Sequence, residues 1–89
     1  MTHSFPSPIS DAIAALDTEA SEATGPLLDV LASIVHPDMV CSLFVLGTLE
    51  LKLKHLAIRC IEYALVNGLT AEQAAELYLV IEPKLTARF

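Results

Sequence analysis

The stretch "LELKLKHLAIRC", residues 49–60, combines two hydrophobic periodicities and decides the fold. In its first half, leucine alternates with charged residues at Leu49, Leu51 and Leu53, which is typical of a half-buried strand. In its second half, apolar residues recur at intervals of three and four, which is how a helix presents one apolar face. The fold therefore depends on which period extends into the neighbouring residues.

Composition favours a helix over residues 38–54, because this segment is rich in leucine and poor in β-branched residues. Glu50 and Lys54 would also form a favourable pair one helical turn apart. The alternative is an α+β fold with a β-hairpin at 40–53, turning at Gly47 and Thr48. We expect the helix, which predicts a tight turn near residues 54–55 and a second helix, 56–67, packed back on the first.

The second of these two helices has the clearest pattern in the chain. Its predicted buried stripe consists of Leu53, Leu56, Ala57, Cys60, Ile61, Ala64 and Leu65. Gly68 follows as a residue that can take the left-handed conformation at a helix C-terminus. Thr70 and Gln73 then form a capping box that predicts the start of a last helix, and Pro83 is expected to end it.

Upstream, residues 1–9 resemble a flexible leader, and residues 10–89 a single helical domain. A first helix is expected from Ser10 or Asp11, with an interruption at "TGP", residues 24–26, before Pro26 opens a second helix. The sequence thus predicts an all-α fold of four to five short helices, with an antiparallel helical hairpin at its centre.

Apolar residues are unusually abundant for a chain of this length. They make up 54% of the 89 residues, against about 45–50% in typical globular domains. A domain this small buries only about 60–65% of the surface that its unfolded chain exposes. We therefore expect a partner, either in a homo-oligomer or in a small hetero-complex.

Charge is distributed unevenly along the chain, whose formal net charge is −6. All ionised residues in the first 38 positions are acidic, whereas acids and bases balance from Met39 onward. Nucleic-acid binding requires a basic surface, so we predict none. The longest apolar run, "MVCSLFVLGTL", is too short for a membrane span of about 20 residues, and no secretory signal is visible, which predicts a cytoplasmic protein without membrane insertion.

Catalytic and metal-binding motifs are not found in the sequence, so we predict no enzyme, no cofactor and no metal site. Cys41 and Cys60 lie among apolar residues and are expected to be small buried hydrophobic side chains. His36, Asp38 and Cys41 are of metal-ligating types, but their spacing does not match a zinc site, and Pro37 and Asp38 are better explained as a helix start.

The sequence therefore predicts a non-enzymatic protein-binding module that covers an apolar helical partner. The expected partner-binding residues are Phe44, Leu51, Ile58 and Val66, which are apolar and lie in the segment with the most apolar residues. Alternatively, the other helices cover this segment entirely. A second hypothesis for the function is a homodimeric helical-bundle regulator or an acidic decoy protein.

The segment 40–69 resembles one tetratricopeptide repeat. "AIRCIEYAL", beginning at Ala57, is similar to the second helix of the repeat, and Leu46 and Gly47 are similar to the Leu-Gly portion of the first. The gap from Gly47 to Ala57 is two residues shorter than in the family, and Glu50 occupies the expected aromatic position. In size and apolar excess the chain also resembles the small tetratricopeptide-like chaperones of type III secretion systems, which implies binding of an aggregation-prone subunit.

Overall fold

A computed structural model describes residues 5–19 and 21–87. Its five helices are α1 (Ser7–Thr18), α2 (Ser21–Val35), α3 (Leu43–Leu46), α4 (Leu51–Val66) and α5 (Ala71–Ala87). The described residues contain no strand, which confirms the all-α prediction and rules out the hairpin at 40–53. The central helical hairpin is consistent with the helix contacts, although its two helices do not have the predicted bounds.

The core is built around α2, which packs against α5, α4, α1 and α3. Leu27, Val30 and Leu31 of α2 are fully buried, and Leu77 and Ile81 of α5 meet them in the same cluster. From the other side, α1 and α4 pack on α2 and on each other. One helix with an apolar surface wide enough for several neighbours therefore organises the fold.

The first helix begins at Ser7, three residues before the expected start at Ser10. Ile9 is fully buried in the core, so the last residues of the predicted leader belong to the packed structure. Residues 1–4 of that predicted leader lie outside the described residues. The division into a leader and one domain stays a prediction.

Two prolines that were predicted to mark helix breaks lie inside helices instead. Pro26 is internal to α2, and Pro83 is internal to α5. Each proline removes one backbone hydrogen bond. Packing of the residues after each proline compensates for this loss. Leu27 and Leu28, which come after Pro26, lie in the core, and Leu85, which comes after Pro83, packs against it. The predicted breaks at these positions are therefore wrong.

The predicted helix 38–54 is also wrong, because its residues form a loop, the single turn of α3, a second turn and the start of α4. Ser42 caps α3 by accepting a hydrogen bond from the Val45 amide at 3.3 Å. The Thr48 hydroxyl then donates to the Val45 carbonyl at 2.7 Å. These local bonds fold the chain back, and they bury Leu46 and Leu49 on either side of the turn.

No break occurs near residues 54–55, because α4 is continuous from Leu51 to Val66. The alternation in "LELKL" has another cause. Leu49 lies in the turn before α4 and is buried, Leu51 opens the helix and is exposed, and Leu53 is buried on its inner side. The alternation with a period of two therefore extends from the loop residue Leu49 into the first residues of α4, and it does not indicate a strand.

The junction between α4 and α5 has the predicted geometry. Gly68 adopts a φ of 76°, the left-handed conformation expected at the end of a helix. Thr70 Oγ1 accepts from the Gln73 amide at 3.1 Å, and Gln73 Oε1 accepts from the Thr70 amide at 3.0 Å. This reciprocal pair confirms the capping box that starts α5.

Candidate protein-binding surface

Helix α4 has apolar residues on two opposite sides. Its inner side contributes Leu53, Leu56, Ala57 and Cys60 to the core, where α1 and α2 pack against it. Its outer side carries Leu51, Ile58 and Leu65, which are 68%, 60% and 81% exposed. A helix of a small soluble domain ordinarily has a polar outer side. The outer side of α4 is therefore the unusual feature of this fold.

The three outer residues form a straight row because they are spaced by seven. Seven residues correspond to two helical turns less about 20°, so successive members lie nearly above one another. At 1.5 Å per residue the row is about 21 Å long. This spacing is the one by which helices pair along an apolar seam.

Helix α3 extends this apolar region on one side of the row. Leu43 and Leu46 of α3 line a groove of about 210 Å³ together with Ile58 and Ile61 of α4. Phe44, the residue after Leu43, is 87% exposed. We define the α3/α4 surface as Leu43, Phe44, Leu51, Ile58 and Leu65. Apolar side chains concentrated in this way are typical of an interaction site.

Of the four residues predicted to bind a partner, all are exposed, and three belong to the α3/α4 surface. These three are Phe44, Leu51 and Ile58. Val66 is exposed at the end of α4, about 100° around the helix from Leu65, and lines a different groove with Pro8 and Tyr63. The role of all four in binding stays a prediction.

Sequence reasoning missed two residues of the surface. Leu65 was assigned to the buried stripe of α4 and is instead exposed, and Leu43 was expected inside a longer helix. The spacing by seven from Leu51 through Ile58 to Leu65 is a signal that could have identified the first. No comparable signal exists for Leu43, whose exposure depends on how α3 lies beside α4.

The charges near the row are of both signs. Lys54 and Glu62 flank it on α4, and Lys54 also lines the groove beside α3. Most acids of the N-terminal part are carried by α1 and α2, which pack against the inner side of α4. The α3/α4 surface is therefore not repulsive toward a partner of either charge.

The two cysteines have different surroundings. The Cys60 thiol is fully buried and donates a hydrogen bond to the Pro8 carbonyl at 3.2 Å. Burial raises the pKa of Cys60 from 9.0 to about 11, Asp11 adds to the increase, and Arg59 opposes it. A thiol held in its protonated form is a poor nucleophile. Cys41 is half-buried near Ser33, with 3.8 Å between Sγ and Oγ.

His36 has a local structural role in the turn after α2. Its Nδ1 accepts a hydrogen bond from the Asp38 amide at 3.1 Å, and its ring lies beside Tyr78 with 6.3 Å between centroids. Within residues 5–19 and 21–87, no group of three or more potential ligands could hold a metal ion. In the same part of the chain, no helix has the length and apolar character needed to cross a membrane.

A cleft with charged residues lies elsewhere, between the ends of α1, α2 and α5. It measures about 280 Å³, and its walls include Glu19, Thr24 and Lys84. Lys84 Nζ lies 2.6 Å from Asp17 Oδ1, and Glu19 Oε2 lies 3.5 Å from Lys52 Nζ. These charged groups are thus engaged in ion pairs between helices, which is a structural role.

No protein-family model matches the chain, and no curated protein or solved structure matches it either.

Proposed function

We propose that this protein is a non-enzymatic protein-binding module whose α3/α4 surface covers an apolar helix of a partner. The observation that carries the proposal is the row Leu51, Ile58 and Leu65, exposed along the full length of α4. An amphipathic helix presents apolar residues at the same intervals, so it can pack along such a row.

The groove beside the row supports the proposal. Leu43 of α3 and Ile58 of α4 line it together with the small residues Ala57 and Gly47. Central apolar contacts with a charged border are the usual composition of a protein interface. Lys54 and Glu62 supply such a border.

Within this proposal, the chaperone-type role implied by the resemblance is one specific form. Small size, helical layout and exposed apolar residues support it. Of the two helices that the resemblance pairs, α3 has four residues and α4 has sixteen. The partner would be kept soluble by the acidic part of the chain while its apolar helix is covered. A cytoplasmic location belongs to the same proposal.

The test is co-expression of the tagged full chain with proteins encoded by neighbouring genes, followed by purification and mass measurement. We expect a stoichiometric complex with the original chain and none with a Leu51→Asp, Ile58→Asp double variant. Leu79→Asp is the matched control, because Leu79 is 67% exposed on α5, outside the α3/α4 surface. Circular dichroism should show the same helix content in all three proteins.

Two results would contradict the proposal. One is the absence of any complex, either with a neighbour-encoded protein or with a second copy of the chain, when the original chain is folded. The other is a complex that survives the double substitution, since binding would then involve another part of the molecule.

A further inference from the structure

We propose that the helix covering the α3/α4 surface is α4 of a second copy of this chain, packed antiparallel about a two-fold axis at Ile58. This inference rests on the binding surface proposed above and names its occupant. It is carried by the order of apolar and charged residues along α4.

The apolar row is symmetric about its middle residue. Leu51 and Leu65 each lie seven residues from Ile58. When two α4 helices run in opposite directions with Ile58 on the axis, Leu51 lies level with Leu65 of the second copy. Ile58 then faces its own counterpart. A surface of this kind is self-complementary, as a two-fold interface between identical chains requires.

The charges beside the row have the complementary order. Lys54 and Glu62 each lie four residues from Ile58, on opposite sides of it along the helix. In the antiparallel pair, Lys54 therefore lies level with Glu62 of the second copy, and this contact occurs twice. A parallel pair would instead place equal charges at the same level. The charge pattern thus selects the antiparallel arrangement.

The remaining parts of the molecule accommodate this pair. Because α1 and α2 pack on the inner side of α4, the acidic helices of the two copies stay on the far sides of the dimer. Leu43 borders the groove at Ile58, so the two-fold axis brings both α3 helices to the same side of the α4 pair. Leu43 and Phe44 of each copy can then close that side. The interface should bury at least about 1,000 Å² in total.

The first experiment measures the mass of the purified chain from about 1 to about 100 µM, by sedimentation or light scattering. We expect a dimer. Lys54→Glu alone or Glu62→Lys alone replaces two attractive contacts with repulsive ones, and should weaken dimerisation by about tenfold at low salt. Combining both substitutions should restore it. A combined variant that is weaker than each single variant would overturn the proposed register.

The second experiment tests direction by cross-linking in a Cys41→Ala background, with Cys60 left in place because its thiol is fully buried. Facing Cα atoms of helices 8–10 Å apart are within about 6 Å, so a disulfide can form across the axis. Ile58→Cys should therefore cross-link to itself. Leu51→Cys should cross-link to Leu65→Cys in a mixture, and neither should do so alone, since their counterparts lie about 21 Å apart.

Leu79→Cys is the control for random collisions and should form no disulfide-linked dimer on oxidation. Self-linking of both Leu51→Cys and Leu65→Cys would overturn the antiparallel arrangement in favour of a parallel one. A monomer at every concentration would overturn self-pairing altogether. The proposed function would stand in that case if a neighbour-encoded protein still bound in a manner that depends on Leu51 and Ile58. It would fall together with the inference if no such protein bound.

Discussion

The two sides of α4 carry similar residues and have opposite environments. Leu53 on the inner side is 2% exposed, whereas Leu51, two positions earlier and of the same residue type, is 68% exposed. The difference lies in what packs against each side, because α1 and α2 cover the inner side and no described helix covers the outer one. Side-chain hydrophobicity therefore does not identify the core residues of this helix. The neighbours of α4 decide which of its leucines are buried in the core and which remain exposed.

The largest expected difference between the two sides of α4 is in the free energy of unfolding, and a matched pair of alanine substitutions measures it. Leu53→Ala should lower the free energy of unfolding by about 2–5 kcal/mol, since it removes buried methyl groups and leaves a cavity. Leu51→Ala should change it by less than about 0.5 kcal/mol when measured on the monomer. Urea unfolding at low protein concentration provides both values. Equal losses would show that the outer side is also packed.

The second test uses the pH dependence of stability at the inner side. Because the folded-state pKa of Cys60 is raised from 9.0 to about 11, the unfolded chain releases the thiol proton first as pH rises. The contribution of the protonated thiol is fully present below pH 9 and is lost between about pH 9 and pH 11, by about 2–3 kcal/mol. Cys60→Ala should lack this component. The measurement is the difference between the two unfolding profiles, and parallel profiles would contradict the prediction.

The third test concerns the C-terminal end of α4, where the chain turns toward α5. Gly68→Ala should destabilise the fold by about 1–2 kcal/mol, because φ at Gly68 is 76° and a Cβ atom disfavours that conformation. Gly47→Ala is the comparison, since Gly47 has a φ of −63°. Its Cβ would lie 3.2 Å from the Phe44 carbonyl oxygen, which needs only a small adjustment. Thermal unfolding should rank Gly68→Ala as the more damaging change.

The smallest effect on stability is expected from a substitution on the outer side of α4. Leu65→Gln should alter the free energy of unfolding of the monomer by less than about 0.5 kcal/mol. It should nevertheless reduce the binding of a hydrophobic dye, because it removes an exposed member of the apolar row. Fluorescence titration against Leu79→Gln, a change on α5, isolates this effect. Unchanged dye binding in the Leu65 variant would place the dye site elsewhere.

Much of the fold could be predicted from local patterns. The all-α class, the capping box at Thr70 and Gln73 and the left-handed Gly68 were predicted correctly, because each depends on residues close together in the sequence. Of the candidate surface, Phe44, Leu51 and Ile58 are exposed, and so is Leu65, which was predicted to be buried. Whether these residues bind a partner stays a prediction.

The errors have a common physical origin in long-range packing. Pro26 and Pro83 remain inside helices because burial of Leu27 and packing of Leu85 outweigh one missing hydrogen bond at each proline. The turn around Gly47 replaces a long helix because it buries Leu46 and Leu49 together. A single sequence indicates the local secondary-structure preference at these sites, but it does not show which surface of a distant helix packs against them.

The sequence by itself determined the helical class, the charge imbalance and the excess of apolar residues, since composition and short-range spacing are sufficient for each. The stripe on α4 also predicted its inner side, since Leu53, Leu56 and Cys60 are buried. Only the tertiary structure decided that the apolar residues on the opposite side stay exposed, because α1 and α2 pack against the inner side and no described helix covers the other. The row Leu51, Ile58 and Leu65 is exposed because this small chain has no further helix among its described residues to cover it.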